Sequence, residues 1–207
     1  MMFYSESVIP ELLTILKIIM ARTEFDNFLL GGGTSLALRF GHRKSIDINL
    51  FTRDSFNSVQ SIDFLHSLFT DLEVVNRTDG SVCAVVRKCK MDILHHSYPL
   101  LCKPVVLEGI RFLSLPDLAA MKINAVTNRG SKKDFVDILL LHDNGIPLGK
   151  ALDYFCQKYG NSGRFLAIRS LSWFEDAESE PDPVFLNEWL WSDVRSRIER
   201  LIREIIQ

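Results

Sequence analysis

Cysteine is scarce and unpatterned in this sequence. The four present, Cys83, Cys89, Cys102 and Cys156, form no C-x-x-C pair and no zinc-type spacing. They read as reduced, buried thiols of a cytosolic protein. Neither sign of charge dominates. Lys and Arg number 24 against 26 Asp and Glu, leaving a net charge of −2. Any contact with nucleic acid therefore has to come from local basic patches. Long apolar runs are missing too. The most apolar early stretch, Val8 to Met20, is interrupted by Pro10, Glu11 and Lys17, so it cannot span a bilayer. Met1-Met2-Phe3-Tyr4-Ser5 lacks the basic start of a secretory leader. No internal repeat and no low-complexity segment stands out. A chain of 207 residues, 47% hydrophobic, is expected to form one soluble domain, or a domain with a helical appendage, without a membrane partner.

The richest stretch is Leu29 to Phe51, LLGGGTSLALRFGHRKSIDINLF. It reads as strand, glycine turn, short helix, basic loop, strand. Gly31-Gly32-Gly33 lets the backbone take φ > 0 and approach a ligand closely. Thr34 and Ser35 follow as hydroxyl donors at a helix start, where free N–H groups make a phosphate seat. Ile46 to Phe51 then alternates apolar and polar, as a half-buried strand should. The alternation sets Asp47 and Asn49 on one face. A phosphate seat facing a carboxylate strand suggests metal-bound nucleotide chemistry.

Around this stretch the pattern is mixed. Helical spacing runs from about Glu6 to Ala21 and from Val59 to Phe69. A β region follows. Asp79-Gly80 is a hairpin signal between Leu72–Arg77 and Ser81–Arg87. Lys90 to His95 is a strand carrying Asp92, and Val105 to Leu113 is a second hairpin around Glu108-Gly109. The rest is helical. Ser114 caps a helix to about Asn128, and Ser131 to His142, Leu148 to Tyr159 and Arg164 to Trp173 follow. The acidic, proline-bearing Glu175–Pro183 reads as an exposed loop. Phe185 to Ile206 closes as an amphipathic helix with Trp189 on its apolar side.

Gly-Gly-Thr-Ser, a helix, Gly41-His42-Arg43 and an Asp-x-Asn strand together resemble the nucleotidyltransferase superfamily of the DNA polymerase β type. The likeness is closer still to the AbiEii/AbiGii toxin family of bacterial and phage-defence toxin–antitoxin systems. A second stretch resembles that family as well: Lys122, then Arg129, then Lys133-Asp134-x-x-Asp137. One position departs from the pattern. Asp47-Ile48-Asn49 stands where the family has Asp-x-Asp.

The resemblance implies an α/β fold, with a nucleotidyltransferase-like mixed sheet and flanking helices over residues 1–114 and a helical C-terminal region over 115–207. It implies Mg²⁺ or Mn²⁺, an NTP substrate, and an acceptor hydroxyl on tRNA or a protein, with a cognate antitoxin as partner. Catalytic residues would be Asp47, Asp92, Lys122 and Asp134. Metal ligands would be Asp47, Asn49 and Asp92, and the nucleotide would meet Gly32, Gly33, Thr34, Ser35, Arg43, Lys122 and Arg129. Asp137 would orient a neighbour or pair with Arg129. Each residue also has an ordinary reading. Asp92 can be a strand polar-face carboxylate, Lys122 a solvated helix lysine, Arg43 a loop charge, and Asp134 the partner of Ser131 in a capping box. Asn49 is a weaker ligand for a hard cation than a carboxylate. Two outcomes therefore stay open: a working site with one fully held metal, or a catalytically degenerate nucleotide-binding or partner-binding protein.

Overall fold

A computed structural model describes residues 2–206. The chain divides into two compact units. One comprises the residues up to Gly41, Ser45–Pro99 and Pro104–Leu113; the other comprises His42–Lys44, Leu100–Lys103 and everything from Ser114 on. No helix among the described residues is long and apolar enough to cross a membrane.

The first unit is a mixed seven-stranded sheet with helices. In chain order it runs α1 (Pro10–Met20), β1 (Leu29–Leu30), α2 (Gly32–Phe40), β2 (Asp47–Thr52) and α3 (Ser58–Leu68). Five strands complete it: β3 (Glu73–Thr78), β4 (Ser81–Val86), β5 (Cys89–His95), β6 (Val105–Leu107) and β7 (Ile110–Phe112). The strand order is β3-β4-β5-β2-β1-β7-β6. β2 runs parallel to β5 and β1 parallel to β7, while the other neighbours are antiparallel. Ile48 and Leu50 of β2, Met91 and Ile93 of β5, and Val82 and Ala84 of β4 are fully or almost fully buried. They form one core with Leu12, Ile15, Leu16 and Ile19 of α1 and Leu65 of α3. The alternate residues Asp47, Asn49 and Asp92 are only half-buried and lie on the opposite face of the sheet.

Three hairpins supply three of the four antiparallel pairs, and β1 and β2 are joined through α2. Asp79-Gly80 and Glu108-Gly109 turn two of the hairpins, with Gly80 at φ 82 and Gly109 at φ 76. The third, between β4 and β5, turns on Arg87 (φ 48) and Lys88 (φ 66). Two consecutive left-handed residues suit the twist of a two-residue hairpin, but the usual choice is Asn-Gly. Here strand pairing imposes the conformation on two long side chains, so local turn chemistry gave no warning of it.

The second unit is helical: α4 (Leu115–Asn128), α5 (Lys132–Asp143), α6 (Leu148–Tyr159), α7 (Arg164–Leu171), α8 (Glu175–Glu178) and α9 (Trp191–Ile206). Ser114 caps α4 as expected, its hydroxyl accepting from the Asp117 N–H at 3.2 Å. The buried Asp117 carboxylate also accepts from Lys158 Nζ at 2.8 Å and from the Leu101 N–H at 3.0 Å.

Two sequence expectations need correcting here. Glu175–Pro183 is not simply an exposed loop. It begins as α8 with Ala177 fully buried, and Glu180 accepts hydrogen bonds from the Ser131 hydroxyl and the Lys132 N–H. The last helix starts at Trp191 rather than Phe185. Residues 184–186 pair instead with 42–44, through Lys44 N–H to Val184 O (2.8 Å) and Leu186 N–H to His42 O (3.0 Å). Backbone groups committed to that bridge cannot close helical turns, so Trp189 lies before the helix.

Candidate active site

The glycine turn is built for close approach. A Cβ on Gly31 would lie 2.5 Å from the Phe51 ring. Gly32 has φ +65, and a Cβ there would sit 3.0 Å from Asn49 Nδ2. The Gly31 N–H donates to Asn49 O at 2.9 Å. The helix start is thus fixed against β2, and no side chain caps its first turn. The early N–H groups of α2 have no intrahelical acceptor, the arrangement that suits an anion.

Thr34 and Ser35 differ from expectation. Both are buried, and their hydroxyls face inward. Thr34 Oγ1 lies 2.7 Å from Ser45 Oγ and donates to the Asp47 carbonyl, which ties the seat to the carboxylate strand. Ser35 Oγ accepts from Arg39 Nη2 at 2.9 Å. Arg39 itself is buried, donates to Leu113 O at 3.0 Å and stacks over Phe112. Burial pushes its guanidinium down to about 10. These two hydroxyls therefore fix the helix start from inside, and the backbone N–H groups of Gly32 and Gly33 are among the groups left without an intrahelical acceptor.

The carboxylates come together through strand register. Asn49 pairs with Asp92 across β2 and β5, and Asp47 pairs with Lys90. Residues in register on neighbouring strands share a face about 4.8 Å apart. No hydrogen bond or ion pair holds the Asp47 side chain among the described residues. Asp92 accepts from Lys90 Nζ at 2.9 Å. On its other side lies Cys83 of β4, its register partner. Burial, then the Asp92 carboxylate, pushes the Cys83 thiol up, so it stays protonated. Lys90 enters the sequence reading only as the first residue of its strand. The alternation of Lys90, Asp92 and Leu94 could have placed it on this face.

The other predicted residues form a buried ionic cluster within the second unit. Arg43 grips Asp137 with two bonds, Nε to Oδ1 and Nη2 to Oδ2, both 2.8 Å. His42 Nε2 donates to Asp137 Oδ1 at 2.8 Å. Lys122 Nζ reaches Asp137 Oδ2 at 2.6 Å and Asp134 Oδ1 at 2.9 Å. Arg129 donates to both oxygens of Asp134, at 2.7 and 3.0 Å. Arg129 thus pairs with Asp134, not with Asp137. Arg43, expected at a phosphate, is buried on Asp137 instead. The Ser131 hydroxyl serves Glu180 rather than closing a capping box with Asp134. Burial alone would raise the Asp137 carboxyl, but Arg43 and Lys122 override it and hold it well below the usual range. The same contest, won by Lys122 and Arg129, lowers Asp134. Arg43, Lys122 and Arg129 face Asp134 and Asp137, Glu180 also acts on Arg129, and of the three cations only Arg129 is substantially exposed.

His42 gives this cluster a pH dependence. Burial lowers its pKa from 6.5, more than Asp137 raises it. Its Nδ1 has no hydrogen-bond partner among the described residues, so a proton added there would be unsatisfied. Unfolded, the ring takes up a proton near its ordinary pKa of about 6.5. Stability from neutral His42 is therefore complete above that pH and is lost as pH falls through it. Urea melts at about pH 7.5 and about pH 5.5 will show a drop that the His42→Gln variant lacks. Equal drops in both chains would remove His42 from the account.

The family model for the nucleotidyl transferase AbiEii toxin of type IV toxin–antitoxin systems matches residues 14–101. An uncharacterised protein of Aquifex aeolicus is 31% identical over 191 residues, covering 88% of this chain and 89% of the relative. Among solved structures, the nucleotidyltransferase toxin MenT4 of Mycobacterium tuberculosis superposes with a TM-score of 0.61 at 12% identity, over 93% of this chain and 80% of that one. JHP933 of Helicobacter pylori gives 0.57 at 15% identity, over 94% and 88%. The matched segment contains the glycine turn, β2 and β5, the parts that carry Asp47 and Asp92. The chain thus resembles the AbiEii nucleotidyl transferase toxin family over residues 14–101 and shares the fold of the nucleotidyltransferase MenT4.

Proposed function

We propose that this protein transfers a nucleotidyl group from an NTP to an acceptor hydroxyl, on tRNA or a protein, and that a cognate antitoxin counters it. The observation that carries the reading is the register of β2 and β5, which sets Asp47, Asn49 and Asp92 on one face beside the uncapped start of α2. No group of three or more His, Cys, Asp or Glu residues is arranged as a metal cage among the described residues. Mg²⁺ does not need one, since it commonly takes one or two carboxylates together with substrate phosphates. Asp47 and Asp92 fit that role, with the Asn49 amide oxygen beside them. The ion, when bound, neutralises charge developing on the phosphates.

In this scheme the N–H groups of Gly32 and Gly33 hold the phosphates. The acceptor oxygen bonds to the α-phosphorus, the bond to the bridging oxygen breaks, and pyrophosphate leaves. The hydroxyl proton passes to water. Asp92, held by Lys90 and Cys83, acts as a ligand rather than a base. The exposed guanidinium of Arg129 is the feature of the second unit that suits an anionic substrate.

Asn49 favours a second reading, a degenerate member that binds nucleotide without transferring it. Each radiolabelled NTP, incubated with Mg²⁺, total tRNA and cell extract, separates the two. Wild-type protein should label an acceptor, and Asn49→Asp should change the rate by less than about tenfold. An inert wild type awakened by Asn49→Asp would establish the degenerate reading.

A further inference from the structure

Asn49 removes a negative charge from the site face, and Lys90 adds a positive one. Asp47 and Asp92 are left to balance a single divalent ion. Lys90 lies in register opposite Asp47, and its ammonium sits 2.9 Å from Asp92 Oδ2. Its side chain is half exposed, so the charged head borders the space above the strands as well as the carboxylate. A compact ammonium on a flexible stem is a suitable point charge for phosphate.

We propose that Lys90 is the second cation of this site, a charge carried by the protein where a second divalent ion would otherwise be required. This rests on the nucleotidyltransferase reading above. In the nucleotide-free protein the ammonium competes with metal for Asp92. With nucleotide bound, it turns toward the phosphates, and Asp92 is freed for the one resident ion. Asn49 then marks a rearranged site, because its neutral amide leaves Asp92 as the carboxylate that engages the ammonium.

The test is Mn²⁺ binding to nucleotide-free protein, read by the loss of the free-ion electron paramagnetic resonance signal, alongside transfer rates. Wild type should bind a single Mn²⁺ weakly. Lys90→Met should bind it at least about tenfold more tightly, because Asp92 is no longer occupied, yet transfer at least about tenfold more slowly. Lys90→Arg should stay near wild type in Mn²⁺ affinity. Lys90→Met with Asn49→Asp should bind two Mn²⁺ and recover transfer with a steeper metal dependence. Unchanged Mn²⁺ affinity in Lys90→Met would reduce Lys90 to a surface ion pair and overturn the proposal. Tighter Mn²⁺ with unchanged transfer would overturn it as well. Failure of the parent reading shows elsewhere, as absence of transfer by the wild type itself.

Discussion

Asp47→Asn will lower nucleotidyl transfer by at least about a thousandfold, roughly 4 kcal/mol of transition-state stabilisation, with Tm unchanged. The argument is one of position. Asp47 lies on β2, the strand whose Asn49 carbonyl receives the Gly31 N–H, and its own carbonyl is tied to the helix start through Thr34. Its side chain is otherwise unengaged among the described residues. The amide has the same shape but carries no charge, so the proposed metal would lose a carboxylate while the backbone bond from Thr34 survives. With Asn49 already neutral, no second carboxylate on β2 can take over. Transfer by the variant within tenfold of wild type, in a chain of unaltered stability, would remove Asp47 from the chemistry.

Asp137→Ala should cost about 3–5 kcal/mol of folding stability, because removing one partner of a buried ion pair leaves the other charges uncompensated. Here three groups lose their acceptor at once. Arg43 is 2% exposed, Lys122 is 5% exposed, and His42 is 2% exposed. Lys122 keeps Asp134, but Arg43 loses both bonds of its grip. The carboxyl pKa is depressed in the folded state, so its contribution is present above the unfolded value of about 3.9 and is lost as pH falls through the lower folded one. The deficit of the variant is therefore full at neutral pH and shrinks in acid. Urea denaturation across that range measures it, with Asp137→Asn as the variant that keeps the volume and one acceptor. A deficit below about 1 kcal/mol at neutral pH would show that the cluster contributes no more than an exposed pair.

What the sequence revealed was local. Three glycines before a short helix and an alternating strand carry their geometry in neighbouring residues, so the seat and the face of Asp47 were readable. So were the Asp79-Gly80 and Glu108-Gly109 turns and the Ser114 cap, whose partners are close in sequence. The residues that misled are those whose partners are distant. Arg43 reads as a loop cation until Asp137 arrives from another element. The acidic segment after Glu175 reads as solvent-facing until Ser131 and Lys132 meet Glu180. Lys90 is an ordinary strand lysine until parallel pairing sets it opposite Asp47. The Arg87-Lys88 turn carries no glycine to announce it, although it fixes which side chains of β5 face the site.

The parallel pairing of β2 with β5 also governs when the site comes into being. Parallel strands cannot be joined by a tight turn, and the chain between these two forms α3 and the β3–β4 hairpin. Loop closure over such a span is slow compared with local helix and hairpin formation. During synthesis the glycine seat and Asp47 leave the ribosome well before Asp92, and a chain halted ahead of β5 carries half of the carboxylate pair. For the transfer proposed above, nascent or prematurely terminated chains have no assembled centre, and the chemistry is withheld until the sheet has closed.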